Sequence, residues 1–86
     1  MPDPHAHATH PAVLARLRRA EGHLRHVAAM IEAGEPCLAV ATQLAAVEAA
    51  LTAAKRTLIH DHIDHCFVGP GGEADLAEMK TLAKLL

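Results

Sequence analysis

Between Pro36 and Gly69 no glycine or proline interrupts the chain. Within that span apolar side chains recur at steps of three and four: Cys37, Val40, Leu44, Val47, Leu51, Ala54 and Leu58. This spacing puts them on one stripe of an α-helix. A neighbouring stripe holds Leu38, Ala41, Ala45, Ala49, Ile59 and Ile63. Together they predict a helix of roughly 30 residues, about 45 Å long, buried on more than one side. The chain has only 86 residues and a single aromatic, Phe67, so leucine, valine, isoleucine and much alanine must build its core. Alanine removes little area from water. A chain this short around so long an apolar helix is expected to complete its core by self-association.

The segments on either side are read from their punctuation. Gly34 closes a first helix and Pro36 opens the second, a stop and a start signal two residues apart. The first helix carries a stripe through Val13, Leu17, Ala20, Leu24, Val27 and Ile31, with Thr9 placed to cap it and Pro11 near its first turn. Residues 1–10 hold two prolines and three histidines without an apolar period, and read as a flexible His-bearing arm. Residues 11–86 read as a single helical domain. After Gly69-Pro70-Gly71-Gly72 a short third helix begins at Glu73, with Leu76, Met79, Leu82, Ala83 and Leu86 inward. The expected fold class is all-α: two long antiparallel helices plus a short third. The first helix is about three-quarters as long as the second, which must overhang it and whose exposed end needs a partner. The longest apolar runs, such as Leu44 to Val47, fall far short of the ~20 residues of a bilayer span. No apolar stretch behind a positive N-terminus marks a secretory leader. A cytoplasmic protein with no membrane partner is expected.

Chemistry concentrates in His60-Asp61-His62-Ile63-Asp64-His65-Cys66, which packs three imidazoles, two carboxylates and a thiol into two helical turns. His62 and Cys66 are four apart and leave the helix on one face. An imidazole and a thiolate so placed can hold one soft or borderline metal ion, and a third ligand is wanted. Cys37 lies on the same stripe, but 25 residues of helix, about 37 Å, separate it from His62. It cannot complete a site within its own chain. In an antiparallel homodimer the start of one second helix lies beside the end of the other, so two equal sites form, each with Cys37 from one chain and His62 and Cys66 from the other. Taken alone, Cys37 reads as a small core residue, and His60 and His65 as solvated helix-end residues. Jointly, Cys37, His62 and Cys66 favour a metal site. The arm histidines His5, His7 and His10 are candidates for further ligands, with a role unrelated to metal the competing reading.

A second signal is basic. Arg16, Arg18, Arg19 and Arg25 crowd the first helix, Lys55 and Arg56 lie on the second, and Arg16 and Arg19 share a face. The net charge of −2 argues against a broad basic coat, and an ordinary solvated face is the competing reading, but an oligomer would repeat the patch as phosphate contacts. No nucleophile stands with a base and an orienting group, and no phosphate-cradling loop occurs. An enzyme is not expected.

The run Arg-Leu-Arg-Arg-Ala-Glu-Gly-His (16–23), then Cys37, then Thr-Gln-Leu-Ala-Ala-Val (42–47), then Asp-His-Ile-Asp-His-Cys (61–66) resembles the copper-sensitive operon repressor (CsoR) family. That family also includes nickel/cobalt, formaldehyde and persulfide sensors. The resemblance covers about residues 11–68. It implies a three-helix protomer in a disc-like tetramer, a dimer of antiparallel dimers. It also implies a repressor that holds operator double-stranded DNA in the apo form and releases it on binding its effector. The copper sensors' Cys-His-Cys site maps onto Cys37, His62 and Cys66. The first-helix arginines used on DNA map onto Arg16 and Arg19, with Arg18, Lys55 and Arg56 as further candidates. Glu48 departs from the pattern, where many relatives carry Arg, and puts a second-helix DNA contact in doubt. His23 replaces a more usual Gln. Two thiolates and one imidazole suit Cu(I). The alternatives are Ni(II) or Co(II) sensing with the arm histidines, a thiol-based persulfide or formaldehyde sensor, and a cytosolic metal-storage bundle.

Overall fold

The computed structural model describes residues 10–66 and 73–86, with side chains over 10–64 and 76–86. It contains three helices, α1 (His10–Glu32), α2 (Cys37–Cys66) and α3 (Glu73–Ala83), and no strand among the described residues. The all-α expectation is met, and the 30 residues of α2 match the length its uninterrupted sequence predicts. The expected arm lies outside the described residues except for His10, the first residue of α1.

The turn between α1 and α2 forms where the sequence signals it. Gly34 adopts φ +73°, the left-handed conformation that glycine enters without a Cβ penalty. Its N–H donates to the Ile31 carbonyl at 3.0 Å, and the Glu35 N–H donates to the Met30 carbonyl at 3.0 Å. These two bonds are a Schellman closure and satisfy carbonyls that a helix end leaves open. The Val40 N–H then donates to the Pro36 carbonyl at 3.1 Å, which makes Pro36 the capping residue of α2. α1 folds back along α2, and α3 packs on α2.

Only part of each predicted stripe is buried. In α1, Val13, Ala20 and Val27 are buried together with Met30, whereas Leu17, Leu24 and Ile31 are exposed. In α2, Val47, Ala54 and Ile59 are buried, while Leu44, Leu51 and Leu58 are exposed and Leu38 is 80% exposed. In α3, Met79 is buried, but Leu76 and Ala83, expected inward, are exposed, as is Leu86 beyond the helix end. The reason is thickness. The molecule measures 54 × 30 × 14 Å, a layer about one helix deep, and a helix in one layer covers only the flank that meets its neighbour. Its radius of gyration, 17.1 Å, far exceeds the ~12 Å of a compact domain of this length.

By length and composition, Cys37–Asp64 passes as long and apolar enough to cross a membrane, its most apolar 18-residue window having a mean hydropathy of 1.6. A search for unbroken apolar runs misses it, because alanines spread the hydropathy between isolated polar residues. Glu48, Lys55 and Arg56 lie inside that length, and charges at membrane depth are expensive. Only 11% of its most apolar window is buried within the protomer.

Candidate metal centre

The length of α2 governs where the candidate ligands stand. Cys37 is its first residue and Cys66 its last, so their backbones are about 44 Å apart along a continuous helix. Cys37 is exposed at the turn end. His62 is at the other end, one turn before Cys66, and its side chain is only 18% exposed. Among the described residues no group of three His, Cys, Asp or Glu side chains converges as a metal site. One protomer therefore does not bring Cys37 to His62. His5 and His7 lie outside the described residues, and His10 is half-buried at the start of α1.

The end of α2 that carries His62 is more enclosed than its solvent-facing composition suggests. Asp61 is 5% exposed, and α3 lays Glu78 against His62, with Oε1 3.4 Å from Nε2. That separation is longer than a good N–H···O bond and is a loose polar contact. A carboxylate beside Nε2 favours the tautomer with its proton there, which leaves the lone pair a metal needs on Nδ1. Glu78 carried no signal in the sequence, because no spacing rule relates position 62 to position 78. His60 and Asp64 are exposed, in line with a solvated helix end.

The basic residues separate into distinct places. Arg16 and Arg19 line one groove with Ala20 and His23 of α1 and Ala50 and Ala53 of α2. Arg18 lies in another hollow, with Leu14, Leu17 and Glu21. Arg25 is engaged by Glu21 at 3.4 Å, an exposed pair one turn apart that contributes little to stability. Lys55, Arg56 and Glu48 are exposed on α2 outside the groove. At the groove's inner edge the His23 Nε2 lies 2.7 Å from the Gln43 Oε1 and joins α1 to α2.

Residues 9–86 match the family model described as "Metal-sensitive transcriptional repressor". The chain belongs to this family. Among curated proteins it is similar to the copper-sensing transcriptional repressor RicR of Mycobacterium tuberculosis, with 42% identity over 73% of this chain and 72% of the relative. It is also similar to the copper-sensing repressor CsoR of Mycobacterium ulcerans, 41% identical over 65% of this chain and 48% of the relative. The chain thus spans about half the length of the CsoR relatives it matches. Among solved structures, the nickel-responsive transcriptional regulator InrS superposes with a TM-score of 0.78 at 32% identity, covering 96% of this chain and 98% of that one. Membership makes the chain a metal-sensitive transcriptional repressor rather than an enzyme.

Proposed function

We propose that this repressor holds operator DNA in the apo form and releases it when Cu(I) binds between two chains. The ligands are Cys37 of one protomer and His62 and Cys66 of its partner. One observation carries the reading: a continuous 30-residue helix keeps Cys37 and Cys66 at opposite ends, so only an antiparallel second copy can unite them. The donor set supports copper, because two thiolates and one imidazole suit a soft ion content with few ligands. The copper-sensing names of RicR and CsoR support it too. Pairing of the long helices would also cover Leu44, Leu51 and Leu58, and a dimer of such dimers is the proposed disc-like tetramer. The apolar length of α2 is accordingly read as subunit contact in a cytoplasmic protein. Residues 1–10 serve as an arm on a single domain, 11–86.

Release follows from linkage. If effector and operator favour different packings of the helices, each weakens the other's binding reciprocally. Drawing Cys37 toward the partner's end of α2 would respace the grooves that carry Arg16 and Arg19, the proposed DNA contacts. Arg18, Lys55 and Arg56 stand outside that groove and are secondary candidates. A second reading, Ni(II) or Co(II) sensing with His5, His7 or His10 as added ligands, is supported by the likeness to InrS.

The test pairs Cu(I), Ni(II) and Co(II) titrations with operator binding for the intact chain, Cys37→Ala and a form without residues 1–10. Cys37→Ala should bind operator yet not release it with Cu(I). Metal-driven release from Cys37→Ala would refute the ligand assignment. Loss of the metal response only in the shortened form would turn the reading to nickel or cobalt.

A further inference from the structure

We propose that His23 is a proton-responsive contact to the operator backbone, so that the apo repressor grips DNA more tightly as pH falls; this rests on the repressor reading above. The groove between α1 and α2, about 430 Å³, is lined by Arg16, Arg19 and His23 from one side and by Ala50 and Ala53 from the other. Among the described residues every titratable side chain in that lining is basic, on a chain whose net charge is −2. The α2 wall is alanine, short and uncharged, which leaves room for a phosphodiester. Among the described residues Arg16 and Arg19 form no ion pair, whereas Arg25 is engaged by Glu21. The groove therefore offers two uncompensated guanidinium groups of the kind that bind phosphate in a bidentate manner.

His23 adds a variable third charge. Gln43 Oε1 only accepts hydrogen bonds, so the imidazole Nε2 carries a proton and donates to it at 2.7 Å. A second proton must go to Nδ1, and the bond to Gln43 survives in both charge states. Protonation thus changes the charge of the groove from two to three without undoing the link between α1 and α2. The charged groups facing His23 in the groove are Arg16 and Arg19 on its own helix. Among the described residues, α2 contributes only the neutral Gln43, Ala50 and Ala53, and α3 contributes none of the lining. Imidazole is the side chain whose charge changes between pH 5 and 8. A phosphate favours its charged form, so DNA binding takes up protons and affinity rises as pH falls.

The experiment uses the full chain in chelator-treated buffer and a duplex selected from random sequence by the wild-type protein at pH 7.5. Affinity is measured by fluorescence anisotropy at pH 7.5 and 5.8 over a salt series, for wild type, His23→Gln and His26→Gln. His23→Gln can still bond Gln43, and a circular dichroism melt checks that it folds. The wild-type gain in affinity on lowering the pH should exceed that of His23→Gln by about threefold or more, and its salt slope at pH 5.8 should be steeper by about 0.9 for each engaged protomer. His26 is exposed outside the groove, so His26→Gln should keep the wild-type pH dependence. Equal pH dependence in wild type and His23→Gln would overturn the inference while leaving the repressor reading standing. Failure to select any duplex would overturn both. Competition by inorganic phosphate beyond that of chloride at equal ionic strength would mark a free-anion pocket instead and overturn the DNA assignment.

Discussion

His62 is the residue on which two helices converge. Its place on α2 puts it one turn from Cys66, but its neighbour across the fold is Glu78 of α3, 3.4 Å away. Partners that hold the second nitrogen of a ligand imidazole fix its tautomer and raise its basicity, and their loss typically weakens metal affinity about 10- to 100-fold. Glu78→Gln should therefore lower Cu(I) affinity by about tenfold or more, read by competition with a chelator of known affinity. Helix content should be unchanged, because Glu78 is 56% exposed and its loss opens no core. An unaltered Cu(I) affinity would show that the carboxylate does not orient His62.

At the scale of the element, the decisive events are where helices stop and where they do not. α1 stops at a Schellman closure built on Gly34. Any Cβ there meets nothing within 4 Å, so crowding is not the obstacle; the positive φ is. Gly34→Ala should cost about 1 kcal/mol, the usual penalty for a side chain in the left-handed region, measured by urea unfolding. A loss well below that would mean the turn relaxes into another closure. α2, by contrast, meets no stop signal for 30 residues, and this continuity rather than any tertiary contact separates its two cysteines. Gly34, Pro36 and the unbroken run beyond them were legible in the sequence because each acts through its own backbone. Glu78 was not, because its partner lies on another helix.

The whole molecule is a 14 Å layer with leucines on its open faces. Leu44, Leu51 and Leu58 repeat along α2 at sevenfold spacing, each about two-fifths exposed. A carboxylate in the middle of that row, Leu51→Glu, should dissociate the proposed assembly in sedimentation velocity while keeping its helix content. It should also abolish tight Cu(I) binding, since each proposed site needs two chains. An intact oligomer would show that another face, such as the Leu17, Leu24 and Ile31 row of α1, makes the pairing.

From the sequence alone came the three helices, the turn at Gly34 to Pro36, and the impossibility of joining Cys37 to His62 within one chain. All of these follow from local backbone preferences and the fixed rise of a helix. Packing alone decided which members of each stripe are buried, that the shared face of Arg16 and Arg19 borders a groove against α2, and which side chains meet across helices, as His23 meets Gln43 and His62 meets Glu78. A periodic sequence states that a helix has an apolar side. The rotation of that side is settled only by the neighbour it packs against, and no spacing within one helix encodes the other.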